Sequence, residues 1–326
     1  MSLDADLIVD RRRMRRKLTF WRVIAVVVAI VAIIAVAGTL GPRDFGVPGG
    51  GQIARVTISG LIRGDRDRVE ALTRLSKASN VRAVIVHIDS PGGTTAGSQQ
   101  LHDALRIVAQ KKPTVVVVDS LAASGGYIAA LACDHIIAED TSLVGSIGVL
   151  FQYPNFADLL KTVGVKVETV RSTPLKAAPN GFEPTSPEAT AALEAIVKDS
   201  YAWFRAMVQD RRKLTADQLD KVADGRVFTG RQGLDLKLID QIGNEQTAID
   251  WLAKSNGIDA NLPVHDWRLE PRLSELSFLH AATAAALDAV GLRSLARRFE
   301  DTGAVRGLES LNLDGLLALW HPPGAN

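Results

Sequence analysis

Residues 113 to 130 read PTVVVVDSLAASGGYIAA, a run of valines that leads into a small-residue turn and then a helix. Four consecutive valines predict a strand that is buried on both faces of a sheet. Ser124 then stands at the strand-to-helix junction, between Ala123 and Gly125, where small neighbours let a substrate backbone approach. Such a serine is either a nucleophile or an ordinary helix N-cap, and this stretch alone does not separate the two.

Apolar strands and amphipathic helices alternate on both sides of this stretch. Upstream, the sequence predicts in turn a strand, a helix, a strand ending in a Gly-Gly turn, and a helix: IARVTISG, DRVEALTRLSKAS, RAVIVHIDSPGG and TAGSQQLHDALRIVAQ. Downstream, it predicts strands at HIIAED and VKVETV, a helix at NFADLLKTVG, and a long helix capped by Ser186 that ends near Lys213. The pattern indicates an α/β fold with a mostly parallel sheet covered on both faces.

The first 40 residues have the composition of a membrane anchor. Residues 1–22 hold seven basic and three acidic side chains, and residues 23–40, VIAVVVAIVAIIAVAGTL, contain no charge. As a helix this segment spans about 27 Å, close to the thickness of a hydrocarbon core. With the basic residues in the cytoplasm, the rest of the chain lies outside it. Cleavage after Ala37 is the alternative, and it would release the same exported body.

The remaining residues divide by composition into a linker, a folded body and a tail. Residues 41–52 are rich in Gly and Pro and predict a tether, residues 53–270 hold the predicted strands and helices, and residues 271–326 form a predicted helical tail of unknown role. From residue 23 onward there are 31 basic and 33 acidic residues, so no nucleic-acid-binding surface is indicated.

Cysteine and metal-ligand patterns exclude two further kinds of site. Cys133 is the only cysteine, so no intrachain disulfide can form, and its apolar neighbours predict a buried, inert thiol. No group of His, Asp, Glu or Cys has the spacing of a metal site, so we expect neither a metal nor another cofactor.

If Ser124 is a nucleophile, it needs a base. None of the six histidines has the loop setting and acidic partner of a catalytic triad, so each is interpreted as structural. A lysine can serve instead when burial among apolar groups favours its neutral amine. Lys176 fits this role, because it lies in the loop TPLKAAPN with its nearest acid, Glu183, seven residues away. By itself, a lysine in such a loop is usually a solvated surface charge.

Five sequence blocks together resemble the signal peptide peptidase A family in its short, single-domain form. They are IDSPGG, SLAASGGYIAA, SLVGSIGV, PLKAAPN and GRVFTG with its following LID and IG, and they run in family order between about residues 53 and 250. The resemblance implies a Clp-protease/crotonase-type fold with a repeated ββα core. It also implies a serine endopeptidase anchored in the bacterial inner membrane, with its catalytic domain on the periplasmic side.

The resemblance further implies roles for individual residues. Ser124 is the nucleophile, Lys176 is the general base, and Ser146 orients the lysine amine. The oxyanion hole comes from backbone N–H groups of Gly125 and of the Gly92–Gly93 turn. Family members form ring- or dome-shaped homo-oligomers that share the Ser/Lys dyad between protomers, and their substrates are signal-peptide remnants and other short apolar peptides.

Two other functions fit parts of the sequence. A crotonase-like acyl-CoA enzyme shares the fold and the stabilisation of an oxyanion by backbone N–H groups. Export away from CoA pools and the LAASGGY block count against it. An inactive scaffold that binds membrane peptides or regulates another protease is the second alternative. The presence of both Ser124 and Lys176 counts against that scaffold.

Overall fold

Ten strands and eight helices are described in the computed structural model, which covers residues 51–269, Trp21 and Arg22, and the backbone of Leu316–Leu319. The strands are β1 (Gln52–Ile62), β2 (Val81–Thr94), β3 (Thr114–Ala123), β4 (His135–Ala138), β5 (Leu143–Gly145), β6 (Leu150–Phe151), β7 (Val227–Thr229), β8 (Gln241–Ile242), β9 (Val264–Asp266) and β10 (Leu316–Leu319). The helices are α1 (Arg66–Lys77), α2 (Thr95–Ala109), α3 (Gly125–Ala130), α4 (Ala157–Thr162), α5 (Pro187–Arg212), α6 (Ala216–Val222), α7 (Gly230–Asp235) and α8 (Glu245–Asn256).

The strands form one mostly parallel sheet. β2 pairs in parallel with β1 and β3, and β3 pairs in parallel with β4 and then β5. The further parallel pairs are β1 with β9 and β4 with β8. The antiparallel pairs in the described part of the chain are short ladders: β5 with β7, and β10 with both β6 and the last three residues of β2. The predicted α/β fold with a mostly parallel sheet is confirmed.

The valine run of β3 supplies both faces of the sheet. Val116 and Val118 belong to the larger apolar core, which α1, α2, α3 and α5 cover. Val115 and Val117 point to the opposite face, where they pack in a smaller core with side chains of α8. Successive side chains of a strand alternate between faces, so a strand buried on both sides has to be apolar throughout.

The long helix α5 begins and ends where the sequence predicts. The Ser186 hydroxyl accepts a hydrogen bond from the Ala189 N–H, and Pro187 occupies the first helical position. Lys213 ends the helix in the left-handed conformation.

Strand β2 extends past the point where β3 leaves the sheet. Its last residues, Gly92–Thr94, keep β1 on one edge, since Leu61 pairs with Gly92 and Ile62 with Gly93. On the other edge β3 turns away after Ala123, and β10 takes its place beside Gly92–Thr94. The end of β2 is therefore paired on both sides, directly beside the turn that carries Ser124.

Two sequence-based predictions are wrong. Residues 165–170 lie outside any strand, and Val165, Val167 and Val170 are exposed. Alternating valines form a strand only where a neighbouring strand receives their hydrogen bonds, and no described strand lies beside them. The tail predicted as helical is extended at Leu316–Leu319, where it pairs in the sheet.

The predicted anchor, residues 23–40, lies outside the described residues, as does most of the tail. Among the residues that are described, no helix is both long and apolar enough to span a bilayer.

Candidate active site

Ser124 occupies a strained turn between β3 and α3. Its φ of 53° and ψ of −113° lie in a region that favours glycine, which costs a serine roughly 1–3 kcal/mol. The backbone N–H donates to the Gly145 carbonyl oxygen at 2.8 Å, which holds the turn in place. The side chain makes no capping hydrogen bond to α3, so the N-cap interpretation of this serine is not supported. A strained, non-capping serine at a strand-to-helix turn is the geometry of a nucleophile elbow.

Ser146 lies beside Ser124 at the end of the neighbouring strand. Ala123 of β3 pairs with Gly145 of β5, so the two serines leave their strands at the same level of the sheet. Ser146 also has a positive φ, 52°, and its N–H donates to the Arg226 carbonyl oxygen at 2.8 Å. The structure thus brings these two predicted site residues together.

Gly92 and Gly93 lie within the last residues of β2, on the other side of Ser124. The positive φ of Gly92 bends the strand there, and this bend is called the Gly92–Gly93 turn. A Cβ on Gly93 would lie 1.8 Å from the Ile62 carbonyl oxygen, so no side chain fits there. Gly92 has a φ of 102°, and its N–H already donates to the Ser90 hydroxyl at 3.1 Å. Of the three N–H groups expected to form an oxyanion hole, those of Gly92, Gly93 and Gly125, the one on Gly92 is therefore engaged within the chain.

Helix α3 is held by hydrogen bonds at its side and at its end. The fully buried Tyr127 donates its hydroxyl to the Leu238 carbonyl oxygen at 2.7 Å, and burial raises the pKa of this phenol. Arg211 donates to the Leu131 and Cys133 carbonyl oxygens at 2.7 and 2.8 Å. These contacts fix the helix that carries Ser124 at its N-terminal end.

The Tyr127 contact gives a stability prediction. We expect Tyr127→Phe to lower the free energy of unfolding by about 1–3 kcal/mol, because it leaves a buried carbonyl oxygen without its donor. Tyr153→Phe is a matched control, since its hydroxyl bonds to Thr185 at 2.8 Å in a less buried place. Urea denaturation measures both. Equal losses from the two variants would contradict the prediction.

Lys176 lies in an exposed loop of the single chain. The base of its loop is fixed, because the Phe156 N–H donates to Gly181 at 2.7 Å and Arg171 pairs with Glu183. The Lys176 side chain itself is exposed, so the burial expected from its apolar neighbours is not found in one chain. Within the described residues it makes no hydrogen bond to Ser124 or Ser146.

His87 has the acidic partners that the sequence did not reveal. Its Nδ1 lies 2.8 Å from Asp119 and its Nε2 lies 2.8 Å from Glu245, which also binds Arg55. His87 therefore has acidic partners in space, although it lies in strand β2 and not in the loop setting of a catalytic triad. Both ring nitrogens are occupied by carboxylates, so this imidazole has no nitrogen free to accept a proton from Ser124. The partners lie 32 and 158 residues away in sequence, so no local pattern reveals them.

A cavity of about 460 Å³ opens beside Ser146. Its walls come from the segment after β5, from α5 and from the residues before Arg226, and they include Ile147, Val149, Val197 and Ala223. The cavity can take an apolar side chain next to Ser146.

The described residues offer no alternative centre for metal or thiol chemistry. Within them, no three His, Cys, Asp or Glu side chains lie close enough to hold a metal ion. Cys133 is buried as predicted, and burial raises the pKa of its thiol to about 12, which keeps it protonated and unreactive.

The fold and this site define an α/β protein with a candidate nucleophile, Ser124, at a strained strand-to-helix turn. The sequence profile of peptidase family S49 matches residues 106–259. A Synechocystis sp. protein, named provisionally as a protease, is 36% identical over 209 residues, which are 64% of this chain and 76% of that protein. The chain therefore belongs to peptidase family S49, and the resemblance found in the sequence is confirmed at the level of the family.

Two more distant similarities cover the same region. The chloroplastic serine protease SPPA of Arabidopsis thaliana is 32% identical over 198 residues, which are 60% of this chain but only 29% of that protein. Among solved structures, a ClpP1 point mutant from Listeria monocytogenes shares 15% identity at a TM-score of 0.41, over 58% of this chain and 91% of that chain. The second similarity is too distant to carry an argument about activity or assembly.

Proposed function

We propose that the protein is a serine endopeptidase in which Ser124 attacks the peptide carbonyl carbon. The observation that carries this proposal is the strained, non-capping conformation of Ser124 beside Ser146 and the Gly92–Gly93 turn. Strain of this kind persists where the surrounding structure enforces it, and it raises the hydroxyl out of the strand toward a substrate. Membership of peptidase family S49 supports the same assignment.

Lys176 is the proposed general base, working with Ser124 as a dyad. Its amine takes the hydroxyl proton as the Oγ–carbon bond forms, and it returns that proton to the leaving amine as the peptide bond breaks. Ser146 holds the amine in place. Water then attacks the acyl-enzyme carbonyl, and its proton passes to the Lys176 amine. As the ester bond to Ser124 breaks, the amine returns that proton to the serine oxygen and the acid product is released. The N–H groups of Gly125 and Gly93 receive the negative charge that develops on the carbonyl oxygen.

The lysine comes from a second copy of the chain in this proposal. The Lys176 side chain is exposed, and the segment 163–175 around it presents several exposed apolar side chains: Val163, Val165, Val167, Val170 and Leu175. Exposed apolar side chains that are concentrated in one segment are typical of a protein interface. Burial of the surface against a neighbouring protomer would desolvate the ammonium group and favour the neutral amine that a base requires.

The proposed substrates are signal-peptide remnants and other short apolar peptides. The apolar walls of the cavity beside Ser146 suit an aliphatic side chain of such a peptide. A Clp-protease/crotonase-type core and an anchor at residues 23–40, with the body on the periplasmic side of the inner membrane, complete the proposal. An anchored site next to the bilayer meets apolar peptides as they leave it.

Covalent labelling tests the proposed nucleophile. Full-length protein in detergent is treated with a fluorophosphonate, and the adduct is located by peptide mass mapping. We expect one adduct, on Ser124, together with loss of hydrolysis of a quenched fluorescent apolar peptide. An adduct on another serine would overturn the assignment of Ser124. Loss of peptide hydrolysis on addition of a chelator would indicate a metalloenzyme instead.

A further inference from the structure

Ser90 is a fully buried serine with two hydrogen bonds near the end of β2. Its hydroxyl donates to the Gly60 carbonyl oxygen at 2.7 Å and accepts from the Gly92 N–H at 3.1 Å. One side-chain oxygen thereby connects β1 to the Gly92–Gly93 turn.

Both of these contacts fall where the regular pairing of β1 and β2 is interrupted. Ser59 pairs with Asp89 and Leu61 with Gly92, so Ser90 and Pro91 together lie opposite Gly60 alone. This is a bulge, in which backbone groups lose their partners across the ladder. The Ser90 hydroxyl satisfies one such group on each strand, so it holds the bulge in a single shape.

Ser90 also contacts the helix that carries Ser124. A Cβ on Gly126 would lie 2.7 Å from the Ser90 carbonyl oxygen and 3.3 Å from its Cβ, which shows how closely the two backbones approach. Ser90 is paired with Ala122 of β3, two residues before Ser124. Ser90 therefore lies against the residue next to each proposed oxyanion donor: Gly92, which precedes Gly93, and Gly126, which follows Gly125.

We propose that Ser90 is a positioning residue, whose hydroxyl sets the Gly92–Gly93 turn at the correct distance from Ser124. Its effect on turnover rests on the proposed function. Removal of an oxyanion donor lowers kcat by about 10²–10³-fold in other enzymes, so we expect a displaced donor to lower it by about 10–100-fold. KM stays nearly constant, because the donor acts mainly on charge that develops in the transition state.

The test compares Ser90→Ala with Ser142→Ala in the full-length protein. Ser142 is a matched control, since it is also buried and its hydroxyl donates to the Val118 and Asp119 carbonyl oxygens at 3.1 and 2.6 Å, away from the turn. We expect similar losses of thermal stability from the two variants. Only Ser90→Ala should lower kcat about 10–100-fold, with KM within about twofold of the unchanged chain.

An unchanged kcat in Ser90→Ala, or an equal loss in both variants, overturns the proposal. If Ser90→Ala does not fold, Ser90→Cys replaces it, because the thiol retains a weak donor and acceptor and should give an intermediate kcat. If the unchanged chain shows no Ser124-dependent turnover, the proposed function fails separately. Amide hydrogen exchange then decides the role of Ser90: faster exchange confined to residues 92–94 in the variant supports it, and unchanged exchange there overturns it.

Discussion

Replacement of Ser124 by Ala should lower kcat for an apolar peptide by about 10⁴–10⁶-fold, the range found when serine peptidases lose their nucleophile. The expected loss is this large because no other group of the proposed site can form the acyl-enzyme. The other groups only transfer the proton or donate hydrogen bonds to the developing negative charge. Ser120→Ala is the matched control, since Ser120 is exposed on the same strand and should leave kcat unchanged. Initial rates with a quenched fluorescent peptide measure both, and a Ser124→Ala rate within tenfold of the unchanged chain would contradict the assignment.

A second substitution at the same position separates strain from chemistry. Ser124→Gly should be as inactive as Ser124→Ala, yet about 1 kcal/mol more stable than the alanine variant, because glycine adopts a φ of 53° without the penalty of a side chain. Chemical denaturation of the two variants measures the difference. Equal stability would mean that the turn carries no strain.

Replacement of Lys176 by Arg should lower kcat by at least about 10³-fold, because a guanidinium keeps its proton and cannot accept the one from Ser124. Lys213→Arg is the matched control, since Lys213 is exposed at the end of α5, outside the proposed interface, and pairs with Asp210 at 2.9 Å. Steady-state hydrolysis of the apolar peptide measures both variants. Full activity of Lys176→Arg would remove Lys176 from the mechanism.

Mixing two inactive variants tests whether the dyad is shared between chains. Equal amounts of Ser124→Ala and Lys176→Ala chains, allowed to exchange protomers, should recover about one quarter of the full activity, because a quarter of the interfaces then unite an intact serine with an intact lysine. No recovery, together with native mass spectra that show mixed oligomers, would place both residues of the dyad in one chain.

Much of the sheet could be predicted from the sequence, because its strands are buried on both faces. The valines of β3 contact two separate cores. A strand that is buried on both faces needs an apolar residue at every position, and the sequence shows this as a continuous apolar run. The cap of α5 was predictable for a similar reason, since Ser186 and Pro187 act on backbone groups within one turn. The strand-to-helix position of Ser124 follows from these same local signals.

The features that the sequence did not reveal depend on partners far along the chain. Residues 165–170 alternate like a strand but have no neighbouring strand in the described chain, and an unpaired alternation cannot form a ladder. The carboxylates around His87 come from the middle of β3 and from α8, so only the tertiary structure places them there. The exposure of Lys176 follows from the path of its loop, which the composition of TPLKAAPN does not encode.

The pairing of β10 with β2 has a consequence for the order of folding. Leu317 lies opposite Thr94, so this ladder joins positions 223 residues apart, whereas β2 and β3 pair within about thirty residues of each other. Contacts across long stretches of chain form late, because closing the intervening loop costs entropy before any contact stabilises it. During synthesis the edge of β2 at Gly92–Thr94 therefore stays open until the last segment of the chain arrives. Until then it is a free strand edge that other extended chains can pair with.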